Sequence, residues 1–276
     1  MNYQWYPGHM TKAKRMMEEN IKLIDLVIEI VDARIPISSR NPDIDSLAVN
    51  KARIILLNKS DLADDKITNQ WINYFNENNI YCLKLNSRNN SGIKQVNGLI
   101  MTACADKIER NKQRGILNRP IRAMVVGIPN VGKSTFINSY AGKASAKTGN
   151  KPGVTKGKQW IKLNKNVELL DTPGILWPKF DNQEVGKRLA MIGSMNDEIL
   201  NGEELAIDTI KYIYSEYSDN VIERYGLDKE KTAASYDENA INPDNSVALY
   251  IMEQAAVKRG CIKKGNNIDY EKIFNI

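Results

Sequence analysis

The run Gly127-Ile128-Pro129-Asn130-Val131-Gly132-Lys133-Ser134 fits the spacing GxxxxGK[ST]. Glycines so placed let successive backbone N–H groups turn inward around an oxyanion, and a helix starting directly behind them points its positive end at the same charge. The ligand that matches is the polyphosphate of a nucleotide. Lys133 would reach the β- and γ-phosphates, the Ser134 hydroxyl would hold Mg²⁺, and Asn130, Val131, Gly132 and Thr135 would complete the cradle.

A second cluster, Asn58-Lys59-Ser60-Asp61, has the form NKxD. A carboxylate accepts from the adjacent N–H and NH₂ of guanine, and adenine offers no such pair of donors. Asp61 would therefore select GTP, with Asn58 and Lys59 beside it and Ser87, in Asn86-Ser87-Arg88, as a second base contact. Asp171-Thr172-Pro173-Gly174 matches DxxG: Asp171 would hold Mg²⁺ through water, and the Gly174 N–H would bond the γ-phosphate. Thr155, in the Lys- and Gly-rich stretch 143–158, is the candidate switch I threonine that completes the metal shell.

Ras-like GTPases place a glutamine directly after the DxxG glycine to orient the attacking water. Ile175 stands there and cannot do so, which predicts slow intrinsic hydrolysis with the water held by another group. The single histidine, His9 in Tyr6-Pro7-Gly8-His9-Met10, belongs to the one side-chain type that changes charge near neutral pH and can orient or deprotonate water; as a residue beside a helix start it also reads as a cap or packing group. Asn130 within the phosphate loop is a candidate K⁺ ligand.

The elements that must position these residues can be read from periodicity. Strand-length apolar runs at 26–31, 53–57, 81–85 and 123–126 alternate with helical stretches near 66–78 and 92–110, as in a doubly wound, mainly parallel α/β sheet. Short strands at 159–163 and 167–170 flank a hairpin turn at 164–166. Met10, Ala13, Met17, Ile21 and Ile24 mark an opening helix whose other face carries Lys12, Lys14, Arg15 and Lys22. Beyond Pro178 the pattern is helical, which predicts a GTPase domain over 1–178 and a small all-helical domain over 179–276. The motifs run base loop, second base loop, phosphate loop, switch I, switch II, a circular permutation of the order that begins with the phosphate loop. A compact sheet tolerates permutation because chain termini commonly lie close together at the surface.

Composition bounds the setting. No stretch reaches the ~20 apolar residues of a membrane span, no secretory signal is present, and three scattered cysteines form neither a disulfide framework nor a zinc cluster, so a cytoplasmic protein is expected. The net charge of +6 is uneven: residues 1–180 carry 28 basic against 15 acidic side chains (+13), and residues 181–276 carry 11 against 18 (−7). A basic excess of that size favours a polyanionic partner.

The permuted order, the opening Trp5-Tyr6-Pro7-Gly8-His9-Met10, the segment Ile30 to Pro36 and the run Asp171 to Leu189 together resemble the bacterial ribosome biogenesis GTPase A (YlqF) family. The resemblance implies a GTPase that docks on a large (50S) ribosomal subunit precursor in the GTP state; Mg²⁺, with K⁺ as a candidate second ion, is the cofactor expected from the motifs, and a monomer is expected. The resemblance also implies hydrolysis stimulated by that particle, departure with GDP, and a role for His9 in hydrolysis. Arg110, Lys112, Arg114 and Arg119, the lysines Lys147, Lys151, Lys156 and Lys158, and the cluster Lys258, Arg259, Lys263 and Lys264 are candidate rRNA contacts. Two alternatives stand beside this reading: a GTP-regulated RNA-binding module with incidental hydrolysis, and a GTPase acting on another RNA.

Overall fold

All seven residues of β1 (Leu26–Asp32) are buried, and a strand covered on both faces must lie inside a sheet flanked by helices. In the computed structural model, which describes residues 6–142, 159–163, 165–180, 182–196, 200–265 and 267–274, that is its place. The opening helix α1 (Gly8–Asn20) buries Met10, Ala13 and Met17 and leads into β1. The short α2 (Asp43–Leu47) follows, then β2 (Ala52–Asn58), α3 (Asp65–Glu77), β3 (Tyr81–Lys84), α4 (Ile93–Ala103) and α5 (Ala105–Gln113). The chain continues through β4 (Ile121–Val126), α6 (Lys133–Ala141), β5 (Gln159–Lys162), β6 (Val167–Asp171) and α7 (Gln183–Met191).

The six strands stand in the order β3-β2-β1-β4-β6-β5. Every pairing is parallel except β5 with β6, the expected hairpin. Parallel pairing puts the C-terminal ends of β1, β2, β3, β4 and β6 on one edge, where the loops that follow them meet; open α/β sheets bind ligands at that edge. The helix expected over 92–110 is two helices, broken at Cys104 (φ −105°, ψ 10°). All three cysteines are buried free thiols, and burial pushes Cys82 and Cys104 up to about 12.

The chain divides into two compact units between Met195 and Asn196, downstream of the boundary expected after Pro178. The reason is that α7 and the turn behind it belong to the sheet unit: Leu189 and Met195 are buried, and the Asn130 side chain of the phosphate loop donates to the Gly193 carbonyl at 2.7 Å. The second unit is helical, with α8 (Gly202–Tyr225), α9 (Lys229–Ala234), α10 (Ser246–Arg259) and α11 (Tyr270–Ile273). Met252, Ala255, Ala256, Cys261 and Ile273 form its core. Among the described residues, no helix is long and apolar enough to cross a membrane.

Candidate functional site

The phosphate loop leaves the end of β4 and turns into α6 at Gly132, whose φ of 99° suits a residue without Cβ. An added Cβ there would collide with the Asn58 amide, so phosphate loop and base loop are in direct contact. Lys133 is 7% exposed and donates to the carbonyls of Gly127 (3.1 Å) and Ile128 (2.7 Å). Burial holds its ammonium down to about 8, and the nearby Asp171 carboxylate raises it again in part. Ser134 and Thr135 lie half-buried in the first turn of α6.

Asn58 ends β2 and is the junction of three segments. Its Nδ2 donates to the Val131 carbonyl (2.8 Å), and its Oδ1 accepts from the backbone N–H (3.1 Å) and hydroxyl (2.9 Å) of Ser87. The Ser87 carbonyl in turn accepts from Ser139 of α6 at 2.5 Å. Both residues were expected to touch guanine. Asn58 and Ser87 are each 2% exposed, and their bonds to each other and to Val131 tie the two base-loop segments to the phosphate loop. Asp61, in the turn Ser60–Leu62, is exposed and has no hydrogen-bond or ion-pair partner among the described residues, so its carboxylate is open to a ligand.

Lys59 takes the left-handed conformation (φ 59°), and its ammonium pairs with Asp32 at 3.1 Å. Asp32 is fully buried at the end of β1 and also receives a two-pronged bond from Arg34 (2.8 and 2.7 Å); desolvation opposes its charge, but Arg34 and Lys59 together hold its carboxyl below the usual range. This Asp32–Arg34–Lys59 group was not singled out as a site from sequence. The available signal was Asp32 itself, an acid ending an apolar strand beside the base loop.

Asp171 ends β6, paired with Val125 of β4. It is 1% exposed, and its Oδ1 is buried without a hydrogen-bond partner. Burial pushes this carboxyl up to about 6, against the pull of Lys133. An orphaned carboxylate oxygen beside a phosphate loop fits a water-coordinated divalent cation, so the residues present suit Mg²⁺. Thr172 anchors the next residue by donating to the Val125 carbonyl at 2.6 Å. Gly174 packs on the loop itself: a Cβ there would stand 2.8 Å from the Lys133 ammonium and 2.8 Å from the backbone of Pro129.

Ile175 is 1% exposed, so the residue in the glutamine's position points into the protein. His9 is exposed in the first turn of α1, and its neighbour Met10 is fully buried, with its sulfur accepting the Leu176 N–H at 3.4 Å. The start of α1 is thereby fastened two residues beyond Gly174. The structure thus brings together Lys133, Asp171 and Gly174 on one side and Asn58, Ser87 and Val131 on the other. Thr155, Trp5 and the lysines Lys147, Lys151, Lys156 and Lys158 lie outside the described residues.

Known proteins carry the same design. A family model described as a 50S ribosome-binding GTPase matches residues 122–236. The chain is 46% identical over 273 residues to the ribosome biogenesis GTPase A of Priestia megaterium, covering 99% of this chain and 90% of that one. It is 35% identical to the ribosome biogenesis GTPase A of Thermotoga maritima over 73% of this chain and 70% of that one. The GNP-bound structure of YlqF from T. maritima matches with a TM-score of 0.57 at 27% identity, over 95% of this chain and 90% of that one. A GDP-bound YlqF structure matches with a TM-score of 0.60 at 25% identity, over 94% and 89%. With the permuted motif order, the phosphate loop, the base loop and near full-length identity in agreement, the chain belongs to the circularly permuted ribosome biogenesis GTPase A (YlqF) family, GTPases of ribosome assembly.

Proposed function

We propose that the protein times a late step of large-subunit assembly: it docks on a 50S precursor in the GTP state, hydrolyses GTP there, and leaves with GDP. The observation that carries this reading is the packing of Gly174 on Lys133 and Pro129, with the next residues fastened to the helix that bears His9. A change at the γ-phosphate would then reach the N-terminal helix through one short segment. Such order changes around a γ-phosphate are a recurrent switching device.

In this reading Asp61 selects guanine, while Asn58 and Ser87 hold the base loop against the phosphate loop. Ser134, Thr155 and, through water, Asp171 would hold Mg²⁺, which neutralises charge on the transferring phosphoryl group. The Oδ1 of Asn130 would be the K⁺ ligand, since its Nδ2 is engaged by Gly193. His9 orients the attacking water in place of the missing glutamine. The protein acts as a monomer in the cytoplasm.

The test is sedimentation of the protein with large-subunit precursors in a non-hydrolysable GTP analogue and in GDP, combined with turnover assays. Co-migration only with the analogue and faster hydrolysis on the particle are expected. Binding without stimulation would favour the rival of a GTP-regulated RNA-binding module, for which the buried, inert Ile175 speaks; stimulation by a different RNA would move the substrate elsewhere. In the same assay His9→Ala should lower particle-stimulated turnover by roughly 10²-fold with nucleotide affinity unchanged. Lys133→Ala should weaken nucleotide binding itself. Loss of affinity in the histidine variant would refute the role given to it.

A further inference from the structure

Residues 175 and 176 have no regular secondary structure, yet all four of their backbone polar groups are engaged. The Ile175 N–H donates to Gly127 of the phosphate loop (3.3 Å), and the Leu176 N–H to the Met10 sulfur (3.4 Å). Both carbonyls accept from one side chain: Asn41 Nδ2 lies 3.4 Å from the Ile175 oxygen and 3.4 Å from the Leu176 oxygen. Asn41 is 1% exposed. Its Oδ1 accepts the Asp43 N–H that opens α2 (3.0 Å), and the loop before it is tied back to β1 by Ser39, whose hydroxyl accepts the Asp32 N–H at 2.9 Å.

We infer that Asn41 is a positioning residue for hydrolysis, clamping the peptide that follows Gly174 so that the phosphate loop on one side and the His9 helix on the other keep their spacing. A primary amide has two N–H donors and can serve two successive carbonyls at once. Both bonds are long for N–H···O, so the segment is held by two weak tethers from a fixed point, and a small displacement strengthens one at the expense of the other. Room for displacement exists: a cavity of about 280 Å³, with Met17, Ile44 and Leu47 in its wall, opens beside the Ile175 side chain. The link to chemistry rests on the reading that His9 orients water; the clamp itself rests on geometry alone.

Asn41→Asp is the sharpest variant. It keeps the size and the oxygen that accepts the Asp43 N–H but replaces the donor with an acceptor facing two carbonyls. Asn41→Ser is the companion, lacking the added charge. Single-turnover GTP hydrolysis without particles, per mole of folded protein, should fall about tenfold in both, while GDP affinity stays within about twofold. His9→Ala run in parallel separates the two ideas: normal turnover there with slow turnover in the Asn41 variants removes histidine from particle-free hydrolysis and leaves the clamp standing. Unchanged turnover in the folded Asn41 variants, or an equal loss of GTP and GDP affinity that tracks a lower melting temperature, overturns the clamp.

Discussion

Asp171 shows how a candidate metal-site residue can be costly to its own fold. Its carboxyl is raised from 3.8 to about 6 because it is buried with one oxygen unpartnered. The folded protein therefore holds this proton more tightly than the unfolded chain does. Ionised Asp171 lowers stability above pH 6, and the penalty fades as pH falls through 6 toward 4. Asp171→Asn removes that titration. Urea unfolding without nucleotide should give a stability difference between variant and parent that grows by about 2 kcal/mol in the variant's favour from pH 4 to pH 6.5; a difference independent of pH would refute the assignment. Asn58 is the opposite case, a base-loop residue whose side chain joins three segments. Asn58→Ala strands the Val131 carbonyl and two donors of Ser87, so it should cost about 2–3 kcal/mol of stability and weaken GTP and GDP alike. A purely guanine-reading Asn58 would instead lose only discrimination against ATP, with no change in unfolding.

Elements explain what could be read in advance. The β1, β2 and β4 runs and the α1 stripe are apolar at the right period, and the glycine-rich motifs sit where a strand ends, so sheet, motif order and phosphate loop were legible from local pattern. Contacts made at long range were not. Asn41 meets the segment after DxxG across 134 positions and Met10 meets it across 166, and neither residue type advertises such a partner. Glu29 is similar. An acid within an otherwise apolar strand, it is buried against Arg40 (3.1 Å) and Arg53 (3.3 Å), and both arginines also pair with Asp45. Burial raises its carboxyl, with the arginines pulling the other way. The division between units falls after α7 because, although the α7 pattern continues the helical tail in sequence, its buried face serves the sheet unit. The junction of β6 with the phosphate loop supports a sharper expectation. Gly174→Ala puts a methyl against the Lys133 ammonium and the Pro129 backbone, which cannot give way easily. Affinity for a GTP analogue should drop more than tenfold, and GDP, which leaves the γ position empty, should be affected less. Equal losses by titration calorimetry would show that Gly174 merely shapes the loop.

At the scale of the whole chain the permutation has a mechanical consequence, since the DxxG segment, proposed to sense the γ-phosphate, leads in sequence through α7 into the helical unit. Charge divides along nearly the same line. Residues 1–195 carry 30 basic against 17 acidic side chains and residues 196–276 carry 9 against 16, so the sheet unit is +13 and the helical unit −7. A polyanion is then drawn chiefly to the first unit, and the helical unit can contribute only through local clusters. Two members of its cluster are already engaged, Lys263 with Asp269 at 3.5 Å and Arg259 over the Tyr225 ring. In the first unit, Arg119 is committed to Asp25, whereas the exposed Lys112 and Arg114 at the end of α5 make no ion pair among the described residues. Each Lys or Arg that neutralises a phosphate adds about one to the slope of log affinity against log salt. Replacing Lys112 and Arg114 with glutamine should therefore flatten the salt dependence of particle binding by about two. Replacing Lys263 and Lys264 should flatten it by at most about one, because Lys263 is already paired. Filter binding from low to moderate salt measures both, and an unchanged slope in the first variant together with a flattened one in the second would assign the contact to the helical unit despite its acidity.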